Sequence, residues 1–142
     1  VLARLGDDGA TLQPPDPLPD ALRRAIVAVA HDRGLAENWV NTVVADQWRF
    51  GLPPGLGGRL TWESFGGLRV GIVERRDLIF FKLYASADQT GPDNVHVRDL
   101  LALRPSAAEL EAAAEWVRTQ DAGPEFQAVL TRVVAHVQDA LR

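Results

Sequence analysis

Two alternating runs meet at Gly66-Gly67, and directly after them the period of the sequence changes from two to about 3.6. Residues 60–65 place Leu60, Trp62 and Ser64 on one side and Thr61, Glu63 and Phe65 on the other. Residues 68–73 set Leu68, Val70 and Ile72 against Arg69, Gly71 and Val73. A Gly-Gly pair between two such runs is a two-residue hairpin turn. From residue 75 onwards the apolar spacing is helical. Strands first and helices after predict an α+β chain with an antiparallel hairpin and a helical C-terminal tail that packs on the strands.

The tail is punctuated clearly. Residues 75–87 are apolar nearly all round through Leu78-Ile79-Phe80-Phe81-Lys82-Leu83-Tyr84-Ala85, which predicts a buried helix. Thr90-Gly91-Pro92-Asp93 breaks it. A second helix over 94–103 ends before Pro105. Ser106 then caps 107–119, with Glu109 three residues on to complete a capping box. Gly123-Pro124 opens the last helix, 125–141, whose face is Phe126, Val129, Leu130, Val133, Val134, Val137 and Leu141.

The first 58 residues are less regular. Residues 1–5 read as the end of a strand that stops at the turn Gly6-Asp7-Asp8-Gly9. Residues 11–19 carry Pro14, Pro15, Pro17 and Pro19 and read as a surface connection. Asp20 is the expected N-cap of a helix over 21–33 with Leu22, Ile26, Val29 and Ala30 on one face, and Gly34 is its stop. Asn38 is placed to cap a short helix over 39–44, with a further helical turn over 46–50. Residues 51–58, with two prolines and four glycines, read as a loop.

Composition narrows the chemistry. At 142 residues the chain is the size of one domain. It has no cysteine, which excludes disulfides, thiolate metal sites and a cysteine nucleophile, and agrees with a cytoplasmic setting. A net charge of −4 speaks against broad nucleic-acid binding, which relies on dense phosphate neutralisation. The longest apolar runs, 25–30 and 78–81, fall far short of the roughly 20 residues of a membrane span. No signal peptide is visible, and the absence of any Met leads us to expect that Val1 lies inside a longer product or follows processing. There is no P-loop, no His-Glu-x-x-His, and no nucleophile elbow around Ser64, Ser86 or Ser106.

Lys82 stands out as the one lysine beside 14 arginines, and it sits in the most apolar helix. An ammonium there either snorkels at the rim of the core or meets a carboxylate or a ligand phosphate. His96 and Asp99, at i and i+3 of the next helix, share a stripe that is either a solvated face or part of a site. An antiparallel pair of helices would return Asp99 to Lys82, so an ion pair between them is expected. Burial of both partners would make Lys82→Met as costly as breaking a fully buried pair. Glu74 and Asp77 are either a third carboxylate of such a site or acids favoured by a helix N-terminus. Asn41 is either a local cap or a pocket group. Asp7-Asp8 reads as a turn more than a metal site. His31 and His136 have no ligand spacing, and Trp39, Trp48, Trp62 and Trp116 are expected to anchor packing.

Residues 73–85 (Val-Glu-Arg-Arg-Asp-Leu-Ile-Phe-Phe-Lys-Leu-Tyr-Ala), followed by His96-Val97-Arg98-Asp99-Leu100-Leu101-Ala102-Leu103-Arg104-Pro105, resemble the C-terminal part of a bacterial nucleotidyltransferase-like family. That family is related to the abortive-infection (AbiE-type) toxin nucleotidyltransferases. Trp39-Val40-Asn41 and Gly51-Leu52-Pro53-Pro54-Gly55-Leu56 resemble its uncharacterised branch, and the resemblance covers roughly 20–142. It implies a single nucleotidyltransferase-like domain, 1–142, that lacks its first strands. It implies transfer of a nucleoside monophosphate from a nucleoside triphosphate to an unknown acceptor in the intact protein. Lys82 and Asp99 would be catalytic, with Lys82, Arg98 and His96 binding the substrate. The family holds Mg²⁺ on an Asp-x-Asp pair that is not found here, so this chain is expected to hold no metal and to be inactive alone. The alternatives are a non-catalytic binder of the same fold, such as a toxin–antitoxin component with a protein partner, and a plain interaction module whose helical tail docks a partner.

Overall fold

A computed structural model describes residues 4–5, 12–13, 17–40, 42, 51–89 and 94–142. The chain forms two compact units, Val1–Leu52 and Pro53–Arg142.

In the first unit, β1 (Arg4–Leu5) pairs antiparallel with β2 (Leu12–Gln13), Arg4 opposite Gln13 and Leu5 opposite Leu12. The expected connection over 11–19 therefore contains a short strand, placed before its first proline, where the backbone N–H groups are still available for pairing. The turn expected at 6–9 lies outside the described residues, as do Asn41, Trp48 and most of the two short helices expected over 39–50.

α1 (Asp20–Arg33) buries Ile26 and Ala30 and stops at Gly34, whose φ of 63° is the left-handed conformation that a glycine C-cap supplies. Pro19 takes the N-cap position, so Asp20 is the first helical residue, not the cap. Its carboxylate accepts from Arg23 at 2.5 Å on the surface instead of capping a backbone N–H. Val29 is 41% exposed and is not on the buried face. After the helix, 36–39 close a turn through Trp39 N–H to Ala36 C=O, and Trp39 Nε1 donates to the Ile26 carbonyl at 3.0 Å.

In the second unit, the segment expected as a loop contains α2 (Leu56–Arg59). Gly55 at φ 75° starts this turn, and the burial of Leu56 and Pro53 holds it in place. β3 (Thr61–Phe65) and β4 (Leu68–Ile72) form the expected hairpin, with Trp62 opposite Gly71 and Phe65 opposite Leu68. Gly66 has the positive φ, 61°, that the tight turn requires. Leu60 and Trp62 do share a face, since both approach the bare Cα of Gly71. Arg69 lies over the Trp62 ring, 4.8 Å from its centroid.

α3 (Arg75–Asp88) is the hub. α4 (Val95–Leu103), α5 (Ala107–Arg118) and α6 (Pro124–Ala140) all pack against it. The sequence led to the expectation that the helical tail packs on the strands; instead the tail packs on α3, because the apolar faces of α4, α5 and α6 find their buried partner there and not on the hairpin. The hairpin turns Phe65, Leu68, Val70 and Ile72 outward, whereas Ile79, Leu83, Leu100, Leu110, Val117, Leu130 and Val137 are fully buried among the helices. Trp116 closes this core against Phe80, Phe81 and Tyr84.

Local chemistry fixes each helix end. Asn94 caps α4 by accepting from Val97 N–H at 2.8 Å, while its amide donates to the carbonyls of Ser86 and Gln89 at the end of α3. The Ser106–Glu109 capping box forms as expected. Glu109 also pairs with Arg75, which donates to the carbonyls of Leu103 and Arg104 as well. Arg75 and Ser106 together hold the Glu109 carboxyl down at about 2. No helix among the described residues is long and apolar enough to cross a membrane.

Candidate functional site

The antiparallel packing of α4 on α3 brings Asp99 to Lys82. Nζ lies 2.5 Å from Asp99 Oδ2. Position 82 lies on the side of α3 that faces α4, between Ile79 and Leu83, which are fully buried. Asp99 precedes Leu100, which is buried against the same helices. The pair is part-buried only, with the side chains 29% and 41% exposed. The full burial that would have made Lys82→Met very costly is therefore absent, because the pair opens on the rim of the helix contact.

That rim is a shallow cavity of about 310 Å³ lined by Leu78, Lys82, Asp99, Ala102 and Leu103. An ammonium has three N–H donors. Asp99 takes one of them, which leaves donors for a ligand in the cavity.

His96, one turn before Asp99, is half-buried. Its Nδ1 is buried with no hydrogen-bond partner. Burial, and then the Lys82 charge, push the imidazole below its ordinary 6.5, and Asp99 opposes them. The hydrogen bond from Lys82 holds the Asp99 carboxyl below the usual range against a smaller effect of burial, with Lys82, His96 and Arg98 adding electrostatic attraction. Arg98 is exposed.

Of the residues expected at a site, the structure therefore brings together Lys82, His96 and Asp99, with Arg98 beside them. It does not add Asp77 or Glu74. Glu74 is the exposed N-cap of α3 and makes no side-chain cap bond. Asp77 is fully buried and accepts two bonds from Arg59, at 2.6 Å from Nη2 and 3.1 Å from Nε. Arg59 also donates to the Pro54 carbonyl at 2.8 Å. Sequence reasoning missed this pair. Its one signal was an acid at the start of an otherwise apolar helix, with an Arg just after a Gly-rich segment.

A divalent cation such as Mg²⁺ takes several oxygen ligands. The carboxylate of this cluster is already committed to Lys82, and no group of three His, Asp or Glu among the described residues could hold a metal. The described residues do not fit Mg²⁺. Asp7 and Asp8 lie outside the described residues.

A second cavity, of about 320 Å³, lies against Ser86, Val97, Val129, Arg132, Val133 and His136. No protein-family model, curated protein or solved structure matches the chain.

Proposed function

We propose that the Lys82–His96–Asp99 cluster is the phosphate-binding part of a nucleotidyltransferase-like domain, with a nucleoside triphosphate as its ligand. The observation that supports this is the ion pair itself, 2.5 Å long and open to a cavity. Here the spare donors of Lys82 border a cavity that an anion can enter. In this reading Asp99 fixes the direction of the Lys82 ammonium, and the remaining N–H groups meet non-bridging phosphate oxygens as a compact point charge. Arg98 adds positive charge at the edge.

Nucleotidyl transfer spreads negative charge over the phosphoryl oxygens, and carboxylate-held Mg²⁺ is the usual counter-charge. The described residues supply the cation and no metal site. The proposal is therefore binding by these residues, with transfer reserved for a protein that also carries a metal-holding carboxylate pair. A second reading, a non-catalytic binder of the same fold, is favoured by the commitment of Asp99 to Lys82.

The test is titration of the chain with a fluorescent nucleoside triphosphate, alongside the Lys82→Met variant. The reading expects saturable binding that Lys82→Met weakens at least tenfold. Equal binding by both chains refutes it. Incubation with labelled triphosphate and Mg²⁺ is expected to give no transfer by this chain, and transfer abolished by EDTA would show a metal site elsewhere.

A further inference from the structure

His96 carries a buried polar atom that the fold leaves unsatisfied. Buried polar atoms without partners are few in native proteins, and each calls for an explanation. His96 Nδ1 is buried and accepts no hydrogen bond, although the ring lies close enough to Lys82 and Asp99 to feel both charges. A neutral imidazole carries one lone pair, so the ring can still take up a proton.

We infer that anion binding in the Lys82 cavity is coupled to proton uptake by His96, so that the site holds a phosphate group more tightly as the pH falls. The inference rests on the phosphate-binding reading given above.

With His96 neutral, Lys82 and Asp99 cancel, and the cluster has no net charge. A phosphate entering the cavity brings about two negative charges and draws on the Lys82 donors. Asp99 then loses part of its partner. His96, three residues earlier on the same face of α4, already acts on Asp99 electrostatically and is the neutral group there that a proton can charge. A proton from solvent converts the ring to an imidazolium whose charge offsets that of Asp99 through space while Lys82 serves the phosphate. The cluster gains one positive charge when a negative ligand arrives.

The surroundings favour this direction. The groups that face His96 are Lys82 from α3 and Asp99 on α4, with Arg98 acting on Asp99. α6, which also packs on α4, contributes Arg132 and His136 at the separate cavity beside Val97. Burial and Lys82 keep the free site neutral near pH 7, and the added anion works against both. His96 does not line the Lys82 cavity, so it acts through its neighbours and is a positioning residue.

Linkage makes the effect reciprocal. Each unit by which the ligand raises the titration midpoint of His96 tightens binding about tenfold between the high-pH and low-pH limits. The experiment follows the His96 ring proton resonance of the full chain by NMR from pH 8 to pH 5, with and without inorganic tripolyphosphate. His31→Gln and His136→Gln, both at exposed positions, assign the resonance by elimination. The expected result is a midpoint below 6.5 in the free chain that rises when tripolyphosphate is added. Tripolyphosphate affinity should increase correspondingly as the pH falls, and His96→Gln should remove that part of the pH dependence while leaving the probe's own titration.

A midpoint that does not move while binding is seen overturns the inference and leaves the phosphate-binding reading standing. So does a pH dependence unchanged in His96→Gln. No binding at any pH, or binding that Lys82→Met does not weaken, overturns both. The midpoint is read on the unaltered chain, so the inference stays testable even if His96→Gln does not fold.

Discussion

Replacing Arg59 with Met should be among the most damaging single changes in the Pro53–Arg142 unit. Asp77 is fully buried, and both of its oxygens accept from the Arg59 guanidinium, at 2.6 and 3.1 Å. Each charge-assisted hydrogen bond is worth about 1.5–3 kcal/mol, so two give roughly 3–6 kcal/mol. Removing one partner of a buried pair costs about 3–5 kcal/mol by the separate measure of an uncompensated charge. Met keeps most of the apolar stem, and the exposed Pro54 carbonyl that Arg59 also serves can turn to water. The expected loss is therefore about 4 kcal/mol. Urea unfolding followed by circular dichroism measures it. The double variant Arg59→Met/Asp77→Leu removes the orphaned charge and should recover most of the loss, because a well-packed apolar pair often equals a buried ion pair. A loss under about 1 kcal/mol in the single variant, against that buried-pair scale, would refute the reasoning. A double variant less stable than the single one would do the same.

Four further outcomes are expected. Ser106→Ala should cost about 1 kcal/mol in the same unfolding assay, because the hydroxyl accepts from Glu109 N–H at the start of α5. Glu109 is held at about 2, below its ordinary 4.5, so its contribution is full above pH 4.5 and is lost as the pH falls towards 2. Glu109→Gln should therefore flatten the melting temperature against pH between those limits, and an unchanged acid limb would argue against the assignment. Arg104 ends α4 at φ 47°, a left-handed conformation that costs a non-glycine residue about 1 kcal/mol. Arg104→Gly should raise the unfolding midpoint slightly, and a lowered midpoint would mean that the side chain carries weight. Lys82→Met should leave thermal stability nearly unchanged while weakening triphosphate binding at least tenfold, with both read on one preparation.

Most of the helical unit is legible because its signals are local. The Asn94 and Ser106 caps, Gly123-Pro124 and the 3.6 spacing each act within a turn or two of the chain, and the helices begin and end within about two residues of where those signals lie. The Lys82–Asp99 pair was legible for a related reason, since two consecutive helices joined by a short break pack antiparallel. The segments that departed from expectation lack such signals. β2 is two residues long, too short for a period of two to show. α2 is a single turn in a run of Gly and Pro, and only the burial of Leu56 and Pro53 justifies it. Asp77 was ambiguous because an acid in the first turn of a helix is already explained by the helix dipole. Its true partner lies 18 residues back, on an element the sequence did not announce.

Two of the ion pairs on α3, Arg59–Asp77 and Lys82–Asp99, show why burial, and not the presence of opposite charges, separates scaffold from site. Arg59 and Asp77 match a planar fork to a carboxylate, and the acid sees no solvent. Such a pair has fixed geometry on the acid's side and no room for a third group. Lys82 and Asp99 share a single contact, both reach solvent, and the lysine keeps donors to spare. A pair of this kind contributes little to stability, because water competes for both charges. The same exposure lets an incoming anion compete with Asp99 for the ammonium at small cost. One end of α3 is thereby locked by Arg59 to the preceding segment, while Lys82, five residues further along the helix, is held in direction but not sealed. An apolar helix that carries the chain's sole lysine at such a point has a rigid support beneath a cation that can change partners, the arrangement that the proposed phosphate binding and its proposed coupling to His96 would require.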